Sequence, residues 1–175
     1  FIAGLWHFEF FINGKKVGDQ VLAPGWTSYQ KRLQYQTYDI SGLLRPGANA
    51  VGAVVGEGWF RSGLGWEFQW GYYGKKKAFL CQIQLRYTDG SEQWITTDAG
   101  WKVSNSGPIG KNEIYYGEEY DARREMPGWS EPAFDDSKWQ NALAADYPLD
   151  NLLASNSVPV RKIEEIKPVK IFTTP

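Results

Sequence analysis

Residues 50–65, AVGAVVGEGWFRSGLG, place a valine-rich segment directly before a loop that contains several glycines. Residues 50–55 have the length and β-branched content of a strand in the centre of a sandwich, and they are too few for a helix of ordinary size. The glycines that follow permit positive φ angles or close approach of the backbone to another group. The stretch therefore predicts a buried strand that leads into a loop carrying Glu57, Trp59 and Arg61.

The composition of the whole chain favours a single all-β domain. A chain of 175 residues with 42% hydrophobic residues is long enough to bury a substantial core. Nine Trp, ten Tyr and nine Phe stand beside 19 Gly and nine Pro, a balance typical of short strands joined by tight turns. The expected fold class is therefore all-β.

Charge and hydropathy exclude two classes of partner. The formal net charge is -1, and no basic run is longer than the three lysines at 75–77, so the chain lacks the positive field that nucleic-acid binding requires. No apolar run reaches the roughly 18 residues of a membrane-spanning helix. We therefore expect neither nucleic acid nor a membrane as a partner.

The rarest residues also limit the chemistry. Cys81 is the only cysteine, so no intrachain disulfide can form, and its strand-like surroundings favour a small buried hydrophobe. His7 is the only histidine, which excludes a zinc site built on a histidine pair, and we interpret it as structural. The chain opens at Phe1 within a strand-like run and lacks signal-peptide features. This opening predicts that a preceding strand belongs to a longer protein.

Two hairpins are indicated by their turn residues. Asn13-Gly14 and Asp89-Gly90 are preferred pairs for two-residue β-turns, and strand-like runs flank both. In the run at 33–40, Gln34 and Gln36 alternate with larger apolar residues, which predicts that they lie on the wetter face of a strand. Besides residues 50–55, strands are predicted at 5–12, 15–17, 33–40, 78–87, 92–96, 101–103 and 112–116.

Two neighbouring loops contain the side chains of a sugar-binding site. Such sites combine flat aromatic faces with carboxylates or guanidinium groups that hold hydroxyls. The predicted carbohydrate-binding residues are Glu57, Trp59, Arg61, Trp66, Trp70 and Tyr73. Two alternatives remain open: Trp59 packs under the sheet in a tight corner, or the aromatic side chains form an interface with another domain. A concave, polar-rimmed cleft would favour sugar, and a flat apolar patch would favour an interface.

A second acidic stretch, GEEYDAR at 117–123, offers carboxylates for Ca²⁺ or for glycoside hydrolysis. Neighbouring residues on a strand point to opposite faces, so Glu118 and Glu119 do not face one substrate. Pairing with Arg123 or Arg124 in a solvated ion-pair network is the preferred interpretation.

The ordered segments FFINGKKVGD, LAPGWTSYQKRLQYQTYDISGLLRPGANAVGAVVGEGWFRSG, YTDGSEQWITTDAGWK, YYGEEYDAR and GWSEPAFDDSKW resemble the N-terminal accessory domain of bacterial α-L-rhamnosidases of glycoside hydrolase family 78. The resemblance implies a jelly-roll β-sandwich of the galactose-binding-like kind over residues 1–157. It also implies that residues 158–175 form an extended connector toward an (α/α)6 catalytic barrel.

The family's catalytic carboxylates lie in that barrel, so the resemblance implies that this chain is not catalytic by itself. Its implied partners are rhamnose-containing glycans and the catalytic barrel of the same polypeptide. In some members the equivalent sandwich binds L-rhamnose together with Ca²⁺, and in others it serves only architecture. This chain has Glu57 where the family usually carries Asp or Asn. The family resemblance favours a secreted or periplasmic location, with a cytoplasmic one as the alternative.

Overall fold

The computed structural model describes residues 1–65, 67 and 69–173, and strands dominate them. Helical structure in this part of the chain is limited to one four-residue turn, α1 (Gly58–Arg61), and 3-10 turns at Ser41–Leu43 and Ala122–Arg124. The all-β prediction is therefore confirmed. The strands are β1 (Ile2–Gly4), β2 (His7–Ile12), β3 (Lys15–Lys16), β4 (Leu33–Gln36), β5 (Val51–Gly56), β6 (Phe79–Arg86), β7 (Glu92–Thr96), β8 (Lys102–Val103), β9 (Ile109–Glu113), β10 (Gly117–Tyr120), β11 (Gln140–Asn141) and β12 (Leu152–Ala154).

Two sheets enclose the main core. The larger sheet has the order β12-β4-β1-β6-β7 and the smaller one β3-β2-β5, while β9–β10 and β8–β11 form separate pairs. Alternate residues of β2 and β6 point inward, as the two-residue period of a strand requires. Cys81 is among the buried residues, which confirms its predicted role as a small hydrophobe. The core residues are Ile2, Phe8, Phe10, Ile12, Val17, Ala23, Cys81 and Ile83.

Both predicted hairpins are present. Asn13 and Gly14 have φ angles of 50° and 78°, the pair of positive values that a type I′ turn needs between β2 and β3. The side chain of Asn13 also accepts a hydrogen bond from the Ala50 N–H and donates one to the Leu43 carbonyl, each 3.0 Å long. This turn therefore fixes the start of β5 beside β2 as well as joining β2 to β3.

The strand predicted at 50–55 is present as β5, but the prediction that it is a central strand is wrong. β5 pairs with β2 alone and lies at the edge of the smaller sheet, with most of its residues only half-buried. Its glycines explain what covers it. A Cβ atom at Gly52 would collide with the ring of Trp129, and one at Gly56 would collide with the side chain of Asn112. Side chains from later segments of the chain therefore cover one face of β5 at these glycines.

The strand predicted at 33–40 is shorter than expected, and Gln36 is not on a wet face. β4 ends at Gln36, whose side chain is only 4% exposed. The reason is a contact distant in sequence: Gln36 lies directly opposite Ile2 of β1, a residue of the main core, so the two side chains share the buried face of the sheet. β12 also pairs with β4 in parallel, and the backbone N–H of Ser155 then donates to the Tyr35 carbonyl. The chain that follows β12 thus returns over the residues that the alternation pattern assigned to solvent.

Several strand boundaries also differ from the prediction. The strand expected at 112–116 lies at Ile109–Glu113, and residues 114–116 turn into β10. Both backbone N–H groups at 115 and 116 donate to one carboxylate oxygen of the buried Glu113, which explains why the strand ends there. After β12, residues 162–173 are exposed and contain no strand.

Candidate functional site

The loop that follows β5 is a single helical turn held by specific contacts. The backbone N–H of Glu57 donates to Oδ1 of Asn112 over 2.8 Å. Gly58 has a φ of 52°, and a Cβ atom there would lie 2.8 Å from the backbone nitrogen of His7. The N–H of Ser62 closes the turn by donating to the Gly58 carbonyl. Only glycine fits this position, and the turn presents Glu57, Trp59 and Arg61 together.

Glu57 and Arg61 form an ion pair four residues apart on this turn. Nη1 of Arg61 lies 3.1 Å from Oε1 of Glu57, and their side chains are 43% and 21% exposed respectively. The guanidinium carbon of Arg61 also lies 5.5 Å from the centroid of the Trp6 ring. A guanidinium group carries five N–H donors, and the described part of the chain uses one of them for Glu57. The remaining donors are available to a ligand.

Trp59 and Tyr73 are connected through Trp26. The rings of Trp59 and Trp26 are stacked with centroids 6.3 Å apart and planes at 5°. Nε1 of Trp26 donates to the hydroxyl of Tyr73 over 3.4 Å. Trp59 also packs edge-on against His7, with centroids 4.7 Å apart, and is half-buried. Trp26 is 55% exposed, so the stack leaves aromatic surface open to solvent.

The other predicted site residues lie elsewhere or outside the described residues. Trp70 stacks on Tyr116 with centroids 5.9 Å apart, and both rings are more than half exposed. Its loop is tied to the helical turn because the Gly71 N–H donates to the Arg61 carbonyl over 2.8 Å. Trp66 is outside the described residues. The structure thus joins Glu57 to Arg61 and Trp59 to Tyr73, while Trp70 contacts a tyrosine from the β9–β10 turn.

The sequence analysis missed Trp26, which links Trp59 to Tyr73. Its place after Pro24-Gly25 was a usable signal, since a large aromatic residue in a Pro-Gly loop is poorly placed for a core. It also missed Asn112, which fixes the start of the helical turn. Asn112 lies far from that turn in sequence, so no local pattern could have identified it.

The described residues do not assemble a metal site. In this part of the chain no group of three or more His, Cys, Asp or Glu side chains is placed to hold a metal ion. The Arg123 guanidinium and N–H both donate to Asp121 and hold the pKa of this carboxyl below its usual range. The ion-pair interpretation of residues 117–123 is confirmed for Asp121.

Comparisons with known proteins agree with this fold. A family model described as the α-L-rhamnosidase N-terminal domain matches residues 1–164. The chain belongs to this family. The resemblance noted in the sequence is therefore confirmed. Among the helices of the described residues, none has the length and apolar character needed to cross a bilayer.

Relatives and solved structures cover nearly the whole chain. An α-L-rhamnosidase of Streptomyces avermitilis is 42% identical over 169 residues, which are 96% of this chain and 16% of the relative. One from Alteromonas sp. (strain LOR) is 37% identical over 93% of this chain and 18% of its own length. A native α-L-rhamnosidase structure from Aspergillus terreus superposes with a TM-score of 0.90 at 41% identity, over 93% of this chain and 19% of that one. The chain spans less than a fifth of each of these proteins.

A solved structure of the Streptomyces avermitilis α-L-rhamnosidase complexed with L-rhamnose is also similar to this chain. It has a TM-score of 0.84 and 41% identity, over 91% of this chain and 16% of that one.

Gly58→Ala should destabilise the chain more than Gly90→Ala. Both glycines have positive φ angles, so both substitutions should cost on the order of 1–3 kcal/mol in backbone strain. Only Gly58 also has a neighbouring backbone atom, the His7 nitrogen, where the new methyl group would lie. Urea unfolding of the two variants measures the difference. Equal losses of unfolding free energy would show that the contact with His7 is unimportant.

His7 should make the stability of the chain depend on pH. Burial lowers its pKa from 6.5 to about 4, and its Nε2 atom has no hydrogen-bond partner among the described residues. His7 therefore binds a proton more tightly in the unfolded chain than in the folded one. The contribution of His7 to the unfolding free energy should be fully present above about pH 6.5 and should decrease as the pH falls toward 4. His7→Phe keeps an aromatic ring against Trp59 and should flatten this part of the profile. Identical slopes for the two proteins between pH 6.5 and 4 would contradict the assignment.

Proposed function

We propose that this chain contributes rhamnoside recognition to a longer α-L-rhamnosidase. The proposed recognition surface consists of Glu57, Arg61, Trp59, Trp26 and Tyr73. The observation that carries the proposal is that one helical turn holds both Trp59, whose ring stacks on the exposed Trp26, and the partly exposed Glu57–Arg61 pair. This turn therefore combines an aromatic ring with a carboxylate and a donor fork.

The chemistry of this surface suits a deoxy sugar. One aromatic face covers the apolar side of a pyranose and the C6 methyl group of rhamnose, while the free N–H donors of Arg61 and the carboxylate of Glu57 hold a pair of hydroxyls. The hydroxyl of Tyr73 lies at the edge of the same aromatic group. Each stacking contact contributes roughly 1 kcal/mol beyond simple burial, so affinity for one sugar unit is expected in the millimolar to micromolar range.

The relatives support the assignment to rhamnosides. The family model and the curated relatives are α-L-rhamnosidases, and one similar solved structure is described as a complex with L-rhamnose. Because this chain spans less than a fifth of those proteins, we assign hydrolysis of terminal α-L-rhamnosides to the remainder of the polypeptide. The chain itself contributes recognition and supports the catalytic barrel.

A purely structural role is the second candidate. Trp70 and Tyr116 form a stacked pair, with Tyr115 beside it in sequence, and all three side chains are more than half exposed. Exposed aromatic clusters of this kind are typical of contacts with another protein surface. In this alternative the pair packs against the rest of the same polypeptide, and the recognition surface binds no sugar.

Calorimetric titration of the 175-residue chain with L-rhamnose, with and without Ca²⁺, tests the proposal. Binding should be saturable, and Arg61→Ala should weaken it about fivefold, which corresponds to roughly 1 kcal/mol. Arg86→Ala is the matched control, because Arg86 forms an exposed ion pair with Glu92 and is not part of the proposed recognition surface. Near-ultraviolet circular dichroism verifies that each variant is folded. If a folded chain gives no heat of binding at millimolar rhamnose in either buffer, rhamnoside recognition is contradicted and the structural role is the remaining candidate.

A further inference from the structure

A cavity lies next to Trp26, between the loop at 20–26, strand β4 and the chain that follows β12. Its volume is about 120 Å³. Its polar lining residues are Gln20, Gln34, Gln36, Ser155 and Ser157, and the other lining residues, Trp26 among them, carry no charge.

Residues 155–161, which form the roof of this cavity, are held by hydrogen bonds at both ends. At one end the Ser155 N–H donates to the Tyr35 carbonyl over 2.9 Å. At the other end the Val21 N–H donates to the Val160 carbonyl over 3.0 Å, and Nε of Arg161 lies 2.8 Å from a carboxylate oxygen of Asp19. Both ends of this segment are therefore held by backbone hydrogen bonds, which fix its position over the cavity.

Gln36 places in this cavity a buried polar atom without a hydrogen-bond partner in the described part of the chain, which close packing does not explain. Its side chain is 96% buried, and its Oε1 atom makes no hydrogen bond within the described residues. Buried amides almost always have a partner, because an unsatisfied polar atom is costly to remove from water. A ligand that donates a proton to this amide, or accepts one if the amide is rotated, would supply the missing partner.

The other lining residues limit the chemistry of such a ligand. The polar groups of the cavity are amides and hydroxyls, and its described lining contains no ionisable side chain. Burying a charged ligand there without a counter-charge would be unfavourable. Amides and hydroxyls match the alternating donors and acceptors of sugar hydroxyls. Val158, Pro159 and Val160 of the segment that follows β12 offer apolar contact to the ring carbons.

The cavity is smaller than the roughly 150 Å³ cavity that holds benzene, so only part of a six-membered ring enters it. Its rim is open, and the half-exposed Trp26 can cover the remaining ring face there. We propose that this cavity binds one neutral pyranose, with Gln36 as its buried hydrogen-bonding anchor. This site goes beyond the recognition surface of Glu57 and Arg61, and either site can exist without the other.

Gln36→Leu in the 175-residue chain separates ligand binding from packing. Leucine keeps a similar volume and removes an amide without a partner, so the variant should melt at the same or a higher temperature than the parent chain. Saturation-transfer NMR with L-rhamnose, D-galactose and the charged D-glucuronate measures binding. The parent chain should bind at least one neutral sugar and should bind D-glucuronate at least fivefold more weakly. Gln36→Leu should lower the affinity for the neutral sugar at least fivefold. Gln82→Leu, at an exposed position on β6, should leave binding unchanged.

Two further variants make the outcome decisive. Ser157→Phe places a ring in the roof without altering the sheet, and it should weaken neutral-sugar binding even if Gln36→Leu fails to fold. Arg61→Ala reports on the recognition surface. Binding that falls with Arg61→Ala but is unaffected by Gln36→Leu and Ser157→Phe would overturn the cavity site and leave the recognition surface intact. Absence of saturable binding for both neutral sugars would also overturn it, and the cavity would then hold water alone.

Discussion

The fully buried ring of Trp6 is the constraint on which the proposed recognition surface depends. Trp6 has no exposed surface, and its Nε1 donates to the Lys76 carbonyl over 3.2 Å. The guanidinium carbon of Arg61 lies 5.5 Å from the ring centroid and the ammonium nitrogen of Lys77 lies 4.9 Å from it. Each cation–π contact contributes on the order of 0.5–2 kcal/mol. One side chain between β1 and β2 therefore holds both the helical turn of Arg61 and the segment that follows Tyr73.

This arrangement gives the surface an aromatic cluster of its own. Trp6 packs with Leu5, Tyr29 and Phe60, separately from the main core of Phe8, Phe10 and Cys81. Val55, at the end of β5, packs against both clusters and connects them. A local cluster of this kind can open without unfolding the whole domain. The geometry of the recognition surface therefore depends on a small group of rings that the sandwich core supports from one side.

Local signals in the sequence were sufficient for the turns and for the choice of fold class. Asn13-Gly14 specifies its hairpin through two positive φ angles, while in the longer β6–β7 connection Gly90 alone of the Asp89-Gly90 pair has one. Alternation of apolar and polar residues identified β6. The ion pair of Glu57 and Arg61 is likewise a consequence of their four-residue spacing on one turn. These features depend on residues that are neighbours along the chain.

Contacts between distant segments could not be predicted in this way. The antiparallel pairing of β4 with β1 puts Gln36 opposite the core residue Ile2 and buries it, although the alternation pattern placed that residue on a wet face. One face of β5 is covered by Trp129 and by Asn112 of β9, both of which lie much later in the chain. Trp26 joins Trp59 to Tyr73 only because three separate loops meet there. In each case the deciding partner lies too far away in sequence for a periodic pattern to reveal it.

Hydrogen exchange of the Trp6→Phe variant tests the central role of Trp6 most directly. Three amides report on the cluster: the N–H of Leu5 donates to Ala78, that of Ser62 to Gly58, and that of Gly71 to Arg61. The N–H of Val17, which donates to Phe10 in the β2–β3 hairpin, reports on the main core. The structure predicts that the first three amides lose protection together while Val17 changes much less. An equal loss at all four amides, or no loss at Ser62 and Gly71, would contradict the account.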